Sequence, residues 1–147
     1  MIKIIFVCHG NICRSPMAEF VMKELVRQAH REDEFEIISR ATSREEIGND
    51  IHNGAKRKMR QMGIPFEHHY AAQITRREYE ESDFVLVMDT NNFRNIMRLI
   101  GEDKQGKIHK LLDFAGGGDI ADPWYTGNFD VTYDDILRGC KGLLNRL

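Results

Sequence analysis

Hydrophobic positions along the chain alternate between short continuous runs and helical stripes. Ile2 to Val7 is an apolar, β-branched run of the kind buried in parallel strands. After a polar, glycine-containing loop, Ser15-Pro16 predicts a helix start, with the serine as cap and the proline at the first helical position. Met17, Phe20, Val21 and Leu25 keep a helical period behind it. Phe35 to Ile38 predicts a second strand, and a strand–helix–strand opening implies a parallel pair joined by a right-handed crossover. Ala41 to Asn53, with Thr42, Ser43, Gly48 and Asn49, predicts mainly a surface excursion. Ala55, Met59 and Met62 mark a helix that stops at Gly63, with Pro65 soon after.

Phe84 to Met88 predicts another buried strand, followed by a polar Asp89-Thr90-Asn91 turn. Phe93, Ile96, Met97 and Ile100 then form a helical stripe ending at Gly101. From Gly116-Gly117-Gly118 to Gly127, a long flexible connection holds Asp119, Asp122, Pro123 and Trp124. Tyr133, Ile136, Leu137, Cys140 and Leu144 share one face of the last helix. Strands alternating with helices, without internal repeat or clear linker, predict an α/β layer fold in a single domain over residues 1–147.

Composition narrows the function classes. In 147 residues, 41% are hydrophobic and 30% charged, which suits a soluble globular protein with a sizeable core. Lys plus Arg is 21 and Asp plus Glu 23, a formal net charge of -2, which argues against a broad grip on nucleic acid or anionic membrane. A small local anion site stays compatible with that total. The N-terminal apolar run is too short for an export signal and carries Lys3, and nothing approaches the ~20 apolar residues of a spanning helix. Three cysteines, an odd number in a chain too long to need disulfide staples, point to a reducing, cytoplasmic setting and to catalytic or redox use of any special cysteine.

The candidate chemistry lies in Cys8-His9-Gly10-Asn11-Ile12-Cys13-Arg14-Ser15-Pro16, where a strand ends and a helix begins. That junction is the usual ligand crevice of an open parallel sheet. Backbone amides of such a loop converge on an anion, helped by the positive end of the following helix. Gly10 and Asn11 both tolerate left-handed backbone angles, so the loop can wrap tightly. Arg14 offers a planar fork for two phosphate oxygens, and the Ser15 hydroxyl is a further donor for the Cys8 sulfur. The thiolate is the nucleophilic form of cysteine, and beneath a bound phosphate it is set up for in-line attack at phosphorus.

The stretch from Val7 to Glu19, with its Gly-Asn-x-Cys-Arg-Ser-Pro core, resembles the signature of the low-molecular-weight protein tyrosine phosphatases. The resemblance runs on through Ala41-Thr42-Ser43, Ile47-Gly48-Asn49, Gly63-Ile64-Pro65, Gln73-Ile74-Thr75, Val87-Met88-Asp89 and Asp122-Pro123-Trp124-Tyr125, in the family's order. It implies a three-layer α/β domain with a central four-stranded parallel sheet flanked by helices. It also implies hydrolysis of phosphotyrosine and aryl phosphate monoesters through a phosphocysteine intermediate, without metal or other cofactor. Cys8 would be the nucleophile, Arg14 the phosphate clamp, and His9, Gly10, Asn11, Ile12, Cys13 and Ser15 the rest of the phosphate-binding set.

The family's general acid is the aspartate of a late Asp-Pro pair, which matches Asp122; Asp113 and Asp119 compete on sequence alone. The resemblance implies a reversible Cys8–Cys13 disulfide guarding the nucleophile, or else a Cys13 that only packs beneath the loop, while Cys140 sits at core spacing. His69 matches a family histidine near the loop, but with His68 adjacent neither enters the catalytic set.

The substrate rim combines a match with a departure. Trp124 and Tyr125 match the family's aromatic pair beside the acid and would flank a phenyl ring. Many members carry a second aromatic before Glu-Ile-Gly-Asn, whereas here Glu45 stands at that position between Arg44 and Glu46. An anionic rim there disfavours acidic phosphopeptides, with Arg44 offsetting part of the charge. Ala72 likewise replaces a common arginine before Gln73.

Ile12 stands where related phosphoarginine phosphatases typically carry threonine, and Ser82 to Asn92 lacks the extra cysteines of arsenate reductases. A non-enzymatic phosphate-binding module would not need Cys8, Arg14 and Asp122 together. A nucleotide loop would need glycine motifs that are missing, and the glycine-rich acidic segment lacks EF-hand spacing for calcium. The expected partners are phosphotyrosine proteins or small aryl phosphates, with no nucleic acid, no membrane insertion and an open oligomeric state.

Overall fold

The computed structural model describes residues 1–147. Four strands, β1 (Ile2–Cys8), β2 (Phe35–Ala41), β3 (Phe84–Val87) and β4 (Ile108–Lys110), form one parallel sheet in the order β2-β1-β3-β4. Six helices complete the chain: α1 (Arg14–Gln28), α2 (Asn53–Gln61), α3 (Arg76–Glu81), α4 (Thr90–Ile100), α5 (Pro123–Thr126) and α6 (Phe129–Leu144).

Side-chain alternation along the strands divides the interior in two. Ile4, Phe6 and Cys8 of β1 join Met17 and Val21 of α1, Met59 of α2, and Ile136 and Leu143 of α6 on one face. Ile5 and Val7 join Val85 and Val87 of β3, Tyr79 of α3, and Ile96 and Ile100 of α4 on the other. A strand buried on both faces has no polar side to show, which is why β1 reads as an unbroken apolar run. The result is three layers, helix–sheet–helix, as the resemblance implied. No helix is long and apolar enough to cross a membrane.

The strand order places the crevice. The chain leaves β1 toward β2 on one side and later returns on the other side of β1 as β3. The two crossovers diverge at the carboxyl ends of β1 and β3, where open parallel sheets bind ligands. Cys8 is the last residue of β1, and Asp89 follows β3 by two positions.

Several local expectations need correction. Ser15 does not cap α1: the helix starts at Arg14 with Cys13 in the cap position and no side-chain cap bond. Ser15 and Pro16 both lie in the first turn, where a missing proline N–H forfeits no helical bond. The serine hydroxyl is thereby freed to turn into the loop. The Asp89-Thr90-Asn91 segment opens α4, because Asp89 accepts the Asn92 N–H at 2.7 Å and Thr90 is already helical. β2 runs on to Ala41, three residues past the expected end.

The glycine-rich connection is partly ordered. Asp122 caps α5 with Pro123 at its first position, and Asn128 caps α6. α3 escaped the periodicity because six residues show no full stripe, although Thr75 and Glu78 form a capping box that announces it.

α6 packs on a 3-10 turn at Leu111–Ala115 through its glycine face. A Cβ at Gly142 would collide with the Phe114 carbonyl oxygen, and one at Gly139 would lie 2.6 Å from Leu111 Cγ. The carbonyl is backbone and cannot rotate aside, so the clash outweighs alanine's ~1 kcal/mol advantage as a helix former. Gly142→Ala should therefore lower stability by about 1–3 kcal/mol in urea denaturation. An unchanged or raised midpoint would show that the turn yields.

Candidate active site

The loop from Cys8 to Arg14 is built by turning its carbonyls outward. The carbonyls of Cys8, His9 and Ile12 accept the N–H groups of Thr42, Ser43 and His52 at 3.0, 3.1 and 2.8 Å. The Asn11 carbonyl accepts from His69 Nε2 at 2.9 Å. With the carbonyls engaged outside, the amides of Gly10, Ile12, Cys13 and Arg14 make no hydrogen bond within the protein. That is the electrostatics of an anion nest at a helix start.

Asn11 is the residue that lets the loop turn. Its φ of 62° lies in the left-handed region, which asparagine tolerates better than most side chains. Its side chain holds the turn from behind. Nδ2 donates to Ser15 Oγ at 2.7 Å and Ser39 Oγ at 3.1 Å, while Oδ1 accepts from Ala72 N at 3.2 Å. Ser39 Oγ in turn donates to Glu19 Oε1 at 2.6 Å. Asn11, Ser15 and Ser39 are fully buried, so these bonds form away from water.

Cys8 Sγ receives the Asn11 N–H at 3.3 Å and the Ser15 N–H at 3.4 Å, and the Ser15 hydroxyl lies 3.1 Å away. Cys13, five residues on, differs sharply. Burial, with the nearby Cys8 and Asp122, pushes its thiol up to about 12, so it stays protonated at ordinary pH. Cys140 is wholly buried in the core, with burial raising its pKa, and all three cysteines are free.

Arg14 is 2% exposed, and three acceptors fix its guanidinium: Asp89 Oδ2 at 2.7 Å, Ile120 O at 2.8 Å and Asp122 Oδ2 at 3.4 Å. Burial opposes its charge, but Cys8, Asp89 and Asp122 outweigh that and hold the proton more firmly still. Asp122 divides its carboxylate, accepting the Trp124 N–H at 3.1 Å on Oδ1 while Oδ2 faces Arg14.

A cavity of about 110 Å³ opens above the loop, with Cys8, His9, Gly10, Ile12, Cys13 and Arg14 against it. Glu45 and Glu46 border it from the segment after β2, and Asp122, Trp124 and Tyr125 from the α5 segment. Glu45 reaches His9 Nε2 at 2.9 Å across the entrance. Trp124 and Tyr125 are 59% and 83% exposed, so their rings stand in solvent at the rim.

Asn11 and Ser15 do not border this cavity; they lie behind it, where they hold the sulfur and the loop. Asp113 and Asp119, the rival acids, are engaged elsewhere: Asp113 accepts the Lys110 N–H, and Asp119 pairs with Lys110 Nζ at 3.0 Å. His69 is buried against the loop, and burial lowers its pKa despite the Asn11 bond.

Sequence reasoning passed over Asp89 as a partner of Arg14. Its place just past a buried strand and its spacing to Asn92 as a helix cap were the available signals. Glu46, Ser39 and Glu19 carried none, because only the fold brings them to the loop.

A model of the family described as low molecular weight phosphotyrosine protein phosphatase matches residues 3–147. The chain is 35% identical over 147 residues to the low molecular weight protein-tyrosine-phosphatase YfkJ of Bacillus subtilis, covering 98% of this chain and 94% of that one. It is 33% identical to PtpA, of the same description, from Staphylococcus aureus, covering 99% and 93%. The crystal structure of YfkJ superposes with a TM-score of 0.95 at 34% identity, over 99% of this chain and 94% of that one. That of the Streptococcus pyogenes enzyme SP-PTP gives 0.91 at 39%, over 100% and 93%. With the family matched over nearly its whole length and the fold shared, this chain belongs to the low molecular weight protein tyrosine phosphatases.

Proposed function

We propose that the chain hydrolyses phosphotyrosine, in proteins or as small aryl phosphates, with Cys8 as nucleophile, Arg14 as phosphate clamp and Asp122 as general acid and then base. The observation that carries this reading is the Cys8 sulfur. It lies under unengaged loop amides, holds two backbone N–H groups, and shares one cavity with Arg14 and Asp122. Phosphate oxygens would be bound by the amides of the loop through Arg14 and by the guanidinium, which Asp89 keeps in place. These donors are preorganised and sit where charge is carried through the transfer.

In the first step the Cys8 thiolate attacks phosphorus, the P–O bond to the leaving phenolate breaks, and Asp122 gives that oxygen its proton. In the second, water attacks the phosphocysteine while Asp122 takes a proton, the P–S bond breaks, and inorganic phosphate leaves. A buried nucleophile also sets a depth requirement. A phosphotyrosine spans from the loop to the Trp124–Tyr125 rim, whereas phosphoserine is shorter.

Hydrolysis of p-nitrophenyl phosphate and phosphotyrosine peptides, measured with chelator present, tests the reading. Cys8→Ser should lose activity by roughly 10⁴-fold or more while remaining folded. Full activity in that variant removes the proposed nucleophile. Phosphoarginine in the same panel should be turned over poorly, and a preference for it would reassign the substrate.

Asp122→Asn should cost ~10²–10⁴-fold on leaving groups of high pKa and much less on p-nitrophenolate. An equal loss across leaving groups would count against Asp122 as acid. At the rim, Glu45→Trp should lower KM for aryl phosphates by about two- to tenfold, the range of one aromatic pair. An unchanged KM would mean that this side of the entrance does not meet the ring.

A further inference from the structure

His52 belongs to none of the roles assigned above, yet four parts of the site meet on it. Its backbone N–H donates to Ile12 O of the phosphate loop at 2.8 Å. Its Nδ1 accepts the Gly54 N–H at 3.0 Å and so caps α2, which places the ring proton on Nε2. One face stacks on Phe129, the first residue of α6, with centroids 5.5 Å apart and planes 18° apart. Trp124 meets the same imidazole edge-to-face at 5.8 Å and 78°.

The packing around that ring is tight on one side and open on the other. A Cβ at Gly54 would run into the Phe129 ring, so the glycine exists here to let the aromatic layer close over the start of α2. Trp124, by contrast, is exposed, and His52 is the one aromatic ring packed against it. A large exposed indole with a single aromatic neighbour takes its position from that neighbour. The backbone N–H of the same tryptophan is the donor that holds Asp122 Oδ1.

We infer that His52 is a positioning residue for catalysis: its ring braces Trp124 as a wall of the aryl pocket and, through the Trp124 N–H, sets the Asp122 carboxylate over the leaving group. This rests on Asp122 being the proton donor. The brace spans the segment that carries the acid, gripping Trp124 near its start and Phe129 at its end. Because the His52 amide also ties to Ile12, the wall and the phosphate loop are referred to one residue.

Trp124 is the sole tryptophan, so fluorescence excited beyond the tyrosine band reports the surroundings of this one indole. His52→Asn keeps a side-chain acceptor for the Gly54 N–H and removes the ring, whereas His52→Phe keeps a ring and removes the acceptor. With the asparagine variant, Trp124 emission and its quenching by acrylamide should change. KM for p-nitrophenyl phosphate should rise about three- to tenfold, and kcat should fall more on poor leaving groups than on good ones. With the phenylalanine variant, fluorescence and leaving-group dependence should stay close to the parent while thermal stability falls. His52→Gln, with a longer acceptor, supplies the same comparison should the asparagine variant not fold.

Native fluorescence together with native KM in the ring-less variant would overturn the inference. So would an altered fluorescence with an unaltered leaving-group dependence, since the ring would then not govern Asp122. A kinetic loss in the phenylalanine variant that the asparagine variant escapes would assign the effect to the helix cap and overturn it as well. Asp122→Asn measured alongside keeps the two readings apart: if it alone steepens the dependence on leaving-group pKa, Asp122 stands as acid and only the role of His52 falls.

Discussion

A guanidinium buried to 2% exposure cannot stand alone, and the arrangement around Arg14 follows from that requirement. Its partners come from three places in the chain: Asp89 after β3, the Ile120 carbonyl and Asp122 ahead of α5. Neutralising one charge therefore draws the loop after β1, the end of a neighbouring strand and the late acidic segment to one point. Asp89 serves twice, since its other oxygen caps α4 and so fixes the carboxylate relative to the sheet. The guanidinium is fixed because its holder belongs to the core architecture.

A second constraint acts on the loop itself. A short loop that offers several amides to one anion must turn its carbonyls away, and each buried carbonyl needs a donor. Thr42, Ser43, His52 and His69 supply those donors from the segments around the loop. Asn11 takes the strained left-handed position and spends its side-chain amide on Ser15, Ser39 and Ala72. The chain Cys8–Ser15–Asn11–Ser39–Glu19 ends at Lys23, whose ammonium meets Glu19 at 2.6 Å near the surface. Among the buried side-chain polar atoms, the Thr42 hydroxyl beside this network is the one that finds no partner.

The site also separates charge in a small space. Loop amides and Arg14 make the floor favourable to an anion, while Glu45, Glu46 and Asp122 border the space above it. A net charge of -2 over the whole molecule conceals this contrast. A doubly charged phosphate would be drawn to that floor, and whatever carried it would have to tolerate carboxylates at the entrance. The two cysteines of the loop are sorted by the same local fields: Cys8 faces donors, and Cys13, buried beside negative groups, holds its proton.

By itself the sequence determined the strand-to-helix junction at Cys8–Pro16, the buried character of β1 and β3, the amphipathic helices and the pairing of Asp122 with proline. These are signals of neighbouring residues, where periodicity and backbone preference act over a few positions. Tertiary structure alone decided what Ser15 does, because a hydroxyl in a first helical turn caps or turns inward according to what lies beneath it. It alone brought Asp89 to Arg14, Ser39 to Asn11 and His52 to Trp124, pairs separated by 75, 28 and 72 positions. Contacts of that range leave no pattern in a single chain, since each partner is an ordinary polar or aromatic residue until the sheet order sets it beside the loop. The three-residue strand β4 and the one-turn α5 were hidden for a related reason: elements so short draw their stability from the surfaces they meet, and those surfaces exist only in the fold.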